Sequence, residues 1–311
     1  MALDGATASF LAQMAEAGTK ALHEMTPEEA RGLIAALRDL YGSGPDMHQT
    51  KDVTVEVAGG DIPVRILTPT ESPRGVLVYY HGGGWVLGDL SGFDTLAREL
   101  ARRTGMTVAL VDYRLAPEHR YPTAIEDSWA ALNWVAANRD SLAPGGPLVV
   151  CGDSAGGNIC AVLAQRAKAV GGPAIDLQVL VYPVTDADVD NESYTDPDNQ
   201  LMLSRDSMIW FWDHYAPDPG ARAETDASPL KAADLSGLPP AVVLTAEHDV
   251  LKDEGEAYAR RLAWAGVPVR HRRFDGQMHG FFTMVNLLPG SAAGLDYVAA
   301  AIDEQIAAQP A

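Results

Sequence analysis

Hydrophobic positions change their spacing as the chain proceeds, and each spacing predicts a different element. Leu33, Ile34, Leu37 and Leu40 recur at helical intervals. Their helix opens at Thr26-Pro27-Glu28-Glu29, where Thr26 can cap, Pro27 suits the first turn and Glu29 completes a capping box. An earlier helix is predicted over residues 7–17, and Gly42, Gly44 and Pro45 end the helical stretch. From there the period falls to two. Val53, Val55 and Val57 alternate with polar residues, as do residues 62–67, which predicts an antiparallel hairpin with one solvated face. Continuous apolar runs follow at 75–80, 106–111, 148–151, 177–181, 241–244 and 267–274, the pattern of strands covered on both faces. Helical segments at 93–103, 124–137, 155–170 and 253–265 separate most of them, and a last one is expected near 295–308. Such alternation predicts an α/β fold: a doubly wound, mostly parallel central sheet with helices on both faces and an antiparallel edge.

Residues 186–236 break this rhythm. They are loop-rich, with one amphipathic segment at 206–215 that carries Met208, Trp210, Phe211 and Trp212. An insertion of this length in an α/β core is usually functional, often a lid or cap. The expected organisation is an N-terminal helical part at 1–45 and a main α/β domain at 46–311 that contains the insertion.

Composition narrows the class of protein. A chain of 311 residues suffices for one large core and a modest second layer. The net charge of −19 argues against nucleic acid or an anionic membrane as partner, since both would repel it. Cys151 and Cys160 are the only cysteines, too few for a disulfide framework and not in C-x-x-C spacing. Both fall in predicted regular structure and read as small buried hydrophobes. Residues 1–5 lack the basic and apolar character of a signal peptide, and no apolar run reaches membrane-spanning length. The expected location is the cytoplasm.

The chemistry concentrates at three places. Gly152-Asp153-Ser154-Ala155-Gly156 lies between an apolar run and a helix, the strand–turn–helix context of the G-x-S-x-G nucleophile turn in α/β-hydrolases. A strand that becomes a helix this abruptly strains the serine backbone and crowds its neighbours, so both flanking positions must lack a Cβ. Ser154 is thereby raised to the positive end of a helix dipole. Upstream, His81-Gly82-Gly83-Gly84-Trp85 follows the run at 75–80. Consecutive glycines let a backbone present N–H groups at close range, so Gly83, Gly84 and Ala155 are the candidate oxyanion donors, with Gly82 shaping the loop. No Gly-Lys-Ser/Thr follows these glycines, and no third glycine completes a dinucleotide fingerprint. His81 precedes the serine and is read as structural.

The fold expects an acid and then a histidine downstream of the nucleophile. Of His214, His248, His271 and His279, only His279 sits in a glycine-flanked loop just past a predicted strand, in Asp275-Gly276-Gln277-Met278-His279-Gly280. It is the preferred base. Asp249 follows the run at 241–244 and precedes a helix, which makes it the preferred acid. Glu247 and Asp253 are its rivals, although Asp253 also reads as a helix N-terminal residue. Met208, Phe211 and Trp212 are candidate substrate-binding residues. The same stripe at helical spacing is equally consistent with cap core.

With these residues in place the chain resembles the bacterial hormone-sensitive-lipase-like esterases of the α/β-hydrolases. The resemblance rests on 81–85, on Asp112-Tyr113-Arg114-Leu115-Ala116-Pro117-Glu118-His119, on 152–158, on Glu247-His248-Asp249-Val250-Leu251-Lys252-Asp253-Glu254-Gly255 and on His279-Gly280-Phe281. It covers the chain from about residue 50 to the end, with Val250 where many relatives carry proline. The family's triad lands on Ser154, Asp249 and His279. The resemblance further implies a cap built from the N-terminal helices and the mid-chain insertion, short- to medium-chain acyl esters as small-molecule substrates, and no cofactor or metal. Members commonly dimerise through the sheet edge, which this sequence neither requires nor forbids. Arg114 and Glu118 are read as parts of a supporting ion-pair network. Two other functions remain open at this point: a lactonase or amide hydrolase on the same triad, and a non-catalytic receptor of the kind the family has produced, whose members typically lose the histidine present here at 279.

Overall fold

Eight strands form one sheet in the order β1-β2-β4-β3-β5-β6-β7-β8. They are β1 (Gln49–Val57), β2 (Gly60–Thr68), β3 (Val76–Tyr80), β4 (Thr107–Val111), β5 (Leu148–Asp153), β6 (Leu177–Val181), β7 (Ala241–His248) and β8 (Val269–Met278). The long helices are α1 (Gly5–Glu16), α2 (Pro27–Arg38), α3 (Leu90–Thr104), α4 (Thr123–Ala137), α5 (Ala155–Val170), α6 (Arg205–Tyr215), α7 (Lys252–Trp264) and α8 (Pro289–Ala307). The computed structural model describes residues 2–307, apart from the side chains of Leu37 and Arg38. Position 308, the expected end of the last helix, lies outside that range, and so does the Leu37 side chain. No helix among the described residues is long and apolar enough to cross a membrane.

The antiparallel edge is the β1–β2 hairpin, paired from Gln49↔Thr68 to Val57↔Gly60, with β2 also antiparallel to β4. Every other pairing is parallel. Strand alternation sends successive side chains to opposite faces, and both faces are apolar. Val76, Val78 and Tyr80 of β3 join a core with Ile125, Leu132, Ile159, Leu163, Tyr258 and Leu262 of α4, α5 and α7. Leu77 and Tyr79 join a second core with Leu96, Leu100, Leu295, Val298 and Ile302 of α3 and α8. The two cysteines divide in the same way, Cys151 to one core and Cys160 to the other, and burial pushes both thiols well up.

The largest departures from the sequence reading are the ends of β7 and β8 and the start of the last helix. Strand β8 runs on through Asp275, Gly276 and Gln277 to Met278, where a loop was expected, because β7 continues to His248 and pairs it with Met278 past an irregularity between Ala246 and His248. Helix α8 opens at Pro289 rather than near 295. Its first turns carry small residues, and Gly294 packs so closely that a Cβ there would press on the Phe282 ring at 2.8 Å. The insertion at 186–236 holds short helical turns at Glu192–Thr195, Pro197–Asn199, Pro219–Arg222 and Pro229–Lys231 around α6. Helix α6 lies against the N-terminal turn Leu22–Glu24.

Candidate active site

Strand β5 ends at Asp153 and α5 begins at Ala155, which leaves Ser154 alone as the link. Its backbone sits at φ 55, ψ −117, a conformation that costs a residue with a Cβ about 1–3 kcal/mol. Three backbone hydrogen bonds hold it there. Ser154 N–H donates to Val181 O (2.8 Å), and Ser154 O accepts from Asn158 N (3.0 Å) and Val184 N (3.2 Å). The turn also closes only around glycine. A Cβ on Gly152 would strike the Gly156 carbonyl, and one on Gly156 would strike the carbonyl of Tyr80.

The downstream residues meet this serine. His279 follows β8 directly, and its Nε2 lies 3.1 Å from Ser154 Oγ. Its Nδ1 lies 2.8 Å from Asp249 Oδ2. Asp249, fully buried in the turn between β7 and α7, accepts a second bond at Oδ1 from Leu251 N–H (2.9 Å). A carboxylate can only accept, so Nδ1 carries the imidazole proton and Nε2 faces the serine as an acceptor. The rival acids are engaged elsewhere: Glu247 accepts from Gly276 N–H (2.7 Å) and Asp253 from Ser193 N–H (2.9 Å). The other histidines are also placed apart from the serine. His271 contacts Thr245 Oγ1 at 3.0 Å, and His214 packs edge-on against Trp210.

The glycine loop after β3 is folded back on itself. Val86 N–H and Leu87 N–H both donate to Gly83 O, at 3.1 and 2.8 Å. Gly83 and Gly84 take φ 105 and 58, and at Gly84 the Phe211 ring occupies the space a Cβ would need. Both glycines border the same cavity as Ser154 and His279. Ala155 opens α5, so its N–H has no acceptor within the helix. His81 is fully buried and stacks on Tyr113 with centroids 4.3 Å apart. Burial pushes its pKa down to about 4, so the neutral ring holds Gly82 O through Nδ1 (2.8 Å).

The cavity measures about 130 Å³, and its walls are mainly apolar, with Leu22 and Ile34 from the N-terminal part and Met202, Met208 and Phe211 from the insertion. Met208 and Phe211, which the helical stripe left open between pocket wall and cap core, border this cavity and are also buried. Trp212 does not border it. One residue further round α6 than Phe211, it is fully buried and packs on Trp85 with centroids 4.8 Å apart. Arg114 and Glu118 pair outside their own segment. Arg114 forks onto the fully buried Asp127, with Nη2 at 2.6 Å from Oδ1, while Glu118 pairs with Arg31 of α2 at 2.8 Å.

Two residues at the site escaped the sequence reading. Asp153 Oδ1 accepts from both Tyr79 Oη (2.7 Å) and Gly82 N–H (2.9 Å), tying the turn that carries Ser154 to the glycine loop. Burial pushes its pKa up to about 6 against the lowering effect of those bonds. Tyr182, just past β6, is fully buried with its ring beside His279. The middle position of G-x-S-x-G flags the first, but no local signal marks the second.

Comparisons with known proteins place the chain in a family. Residues 77–283 match the family model described as alpha/beta hydrolase fold. Carboxylesterase NlhH of Mycobacterium tuberculosis is 46% identical over 239 residues, 75% of this chain and 75% of that protein. An ethyl acetate hydrolase of Pseudomonas putida is 35% identical over 324 residues, covering 98% of this chain and 100% of that one. Among solved structures, a thermostable esterase from Pseudomonas putida ECU1011 superposes with a TM-score of 0.91 at 36% identity, covering 100% of this chain and 99% of that one. The Pyrobaculum calidifontis hyperthermophilic esterase gives 0.91 at 37%, covering 98% and 99%. With the hydrolase sheet, a serine at its strained turn and relatives named as carboxylic ester hydrolases, this chain belongs to the alpha/beta-hydrolase family, in its hormone-sensitive-lipase-like branch.

Proposed function

We propose that the protein is a serine carboxylesterase that hydrolyses short- to medium-chain acyl esters through an acyl-enzyme on Ser154. The observation that carries this reading is the continuous relay from Asp249 through His279 to Ser154, at 2.8 and 3.1 Å, opening into one apolar cavity. His279 Nε2 takes the hydroxyl proton as Ser154 Oγ attacks the ester carbonyl, and Asp249 stabilises the imidazolium that results. The amides of Gly83, Gly84 and Ala155 receive the oxyanion. His279 then returns its proton to the departing alkoxide, and a water deprotonated by the same nitrogen cleaves the acyl-enzyme. The cap, built from 1–45 and 186–236, walls the acyl group. A free space of about 130 Å³ is small beside the roughly 300–1,000 Å³ of small-molecule sites in general, which favours short chains.

The test is covalent labelling by a fluorophosphonate together with turnover of p-nitrophenyl butyrate, a lactone and an amide. The reading expects labelling at Ser154 and the ester as the preferred substrate. Ser154→Ala is expected to abolish labelling and lower kcat by on the order of 10⁴–10⁶. Full activity in that variant overturns the assignment, and preference for the lactone or amide moves the substrate class.

A further inference from the structure

We infer that the hydroxyl of Tyr41, a residue of the segment after α2 that lines the cavity beside Ser154, is a substrate-binding group for a neutral second oxygen on the ester. This rests on the esterase reading and extends it to a substrate class: esters whose acyl or alcohol half carries an ether, hydroxyl or carbonyl oxygen a few bonds from the scissile carbonyl. Tyr41 borders the same cavity as Ser154, His279 and Gly84. The same cavity is lined by Phe93, Leu96 and Met284, none of which offers a donor. The ring packs on the core beneath, and the one hydrogen bond described for Tyr41 is to its backbone carbonyl, from Asn286 Nδ2. Tyr41 is only partly buried, and its oxygen is not among the fully buried atoms left without a partner, so a ligand oxygen can take the place of water on it.

The segment is fixed in place by several bonds, so the phenol is presented on a firm backbone. Asn286 Nδ2 donates to Tyr41 O (2.6 Å), Thr95 Oγ1 donates to Gly42 O, and Arg98 Nη1 donates to Pro45 O (3.3 Å). Gly44, at φ 69, lies so close to α3 that a Cβ would meet Thr95 Cα at 3.2 Å. Fixing the group in advance reduces the ordering cost of the hydrogen bond it makes. Burial and the charge of Asp153 push the Tyr41 pKa up, so it remains a protonated donor at neutral pH. That same carboxylate lines the cavity and disfavours an anionic oxygen there, which is why the partner oxygen is neutral.

Matched substrates test the inference on the full-length protein. p-Nitrophenyl methoxyacetate and p-nitrophenyl butyrate differ by one oxygen in place of a methylene on the acyl side. 2-Methoxyethyl acetate and butyl acetate do so on the alcohol side. For each pair the ratio of kcat/KM values, oxygenated over alkyl, is measured in the wild type and in Tyr41→Phe. Dividing one ratio by the other cancels the intrinsic reactivity of the esters and any general loss of packing. The expected result is a fall of about five- to tenfold in the ratio for one pair, the worth of one hydrogen bond, carried mainly by KM. A fall under about threefold in both pairs, with Ser154 still labelled by a fluorophosphonate, overturns the Tyr41 assignment and leaves the esterase reading standing. Absence of both labelling and turnover in the wild type overturns the esterase reading, and the assignment to Tyr41 falls with it.

Discussion

The ring of Tyr182 lies against the imidazole of His279, with centroids 4.5 Å apart and planes inclined at 52°. Tyr182 reaches this position on a left-handed backbone at φ 34, with its N–H donating to Leu244 O at 2.6 Å. A tyrosine in that region is strained by about 1–3 kcal/mol. Strands β5 and β6 thus end side by side in two strained residues, Ser154 and Tyr182, one the proposed nucleophile and the other packed against the proposed base.

Tyr182→Ala is accordingly expected to lower kcat by about 10–100-fold with a smaller change in KM, since an unsupported imidazole spends less time in line with Ser154. It is also expected to destabilise the fold by about 3–5 kcal/mol through the cavity left in a fully buried position. Tyr182→Phe keeps the ring against His279 and is expected to retain kcat within about threefold. Steady-state kinetics with urea unfolding separate the two effects. Equal kcat in the Ala and Phe variants would remove Tyr182 from the positioning of His279.

Asp249→Asn tests the direction of the relay. The amide can still accept from Leu251 N–H, but it turns an NH₂ group toward Nδ1 of His279 and favours the tautomer with the proton on Nε2. That tautomer cannot take a proton from Ser154. The expected loss in kcat is on the order of 10⁴ with little change in thermal stability, read from kcat at saturating ester and from the melting temperature. A loss of less than about tenfold would mean that another group orients the imidazole.

These residues show what the sequence discloses and what it withholds. Continuous apolar runs give the parallel strands because both faces of the sheet are covered, and β3 bears this out by dividing its side chains between two cores. Ser154, Asp249 and His279 are legible because each is tied to a local feature: a glycine-bracketed turn, a strand-to-helix turn, a strand end. Tyr182 and Tyr41 are not, since each reaches the site across 97 and more positions of chain: Tyr182 lies against His279, and Tyr41 lines the cavity that also holds Ser154. Trp212 marks the limit of periodicity. Helical spacing identifies the buried face of α6, yet whether a side chain on it meets substrate or Trp85 depends on a glycine loop more than a hundred residues away. Strand β8 extends past its apolar run for a similar reason, as its last residues are held by pairing with β7 and not by their own propensity.

Asp153 makes stability depend on pH in a direction opposite to most carboxylates. Its pKa rises from 3.8 to about 6 on folding, chiefly through burial. The folded state therefore holds this proton more tightly than the unfolded chain does. The resulting stability is fully present below pH 3.8 and is lost as pH rises through about 6. Asp153→Asn cannot ionise, and an amide oxygen can still accept from Tyr79 and Gly82. The stability of the variant relative to wild type is expected to increase by roughly 1–3 kcal/mol between pH 4 and pH 7. Denaturant unfolding of both proteins across that range measures it. A difference that is flat with pH would show that Asp153 ionises as readily in the folded protein as in the unfolded one.

Arg31 is the point at which the N-terminal helices are fastened to the loop that carries Gly83 and Gly84. From α2 its Nε donates to Val86 O (2.9 Å), its Nη2 to Ala116 O (2.8 Å), and its two terminal nitrogens fork onto Glu118 at 2.8 Å each. Glu118 is held down to about 2 by that guanidinium. The ion pair is partly exposed and contributes little by charge alone. The two carbonyl contacts need the planar fork, which lysine lacks. Arg31→Lys and Arg31→Ala are therefore expected to behave alike, shifting the global melting temperature by no more than about 4 °C while opening the segment around α2 about tenfold more often. Hydrogen exchange across residues 22–38 and limited proteolysis of the same stretch read the local opening. KM for short esters is expected to rise in both variants, because Leu22 and Ile34 wall the cavity only while this segment is docked. If Arg31→Lys kept wild-type exchange and KM while Arg31→Ala lost them, charge rather than the fork would be what fastens the segment, and the carbonyl contacts would carry no weight.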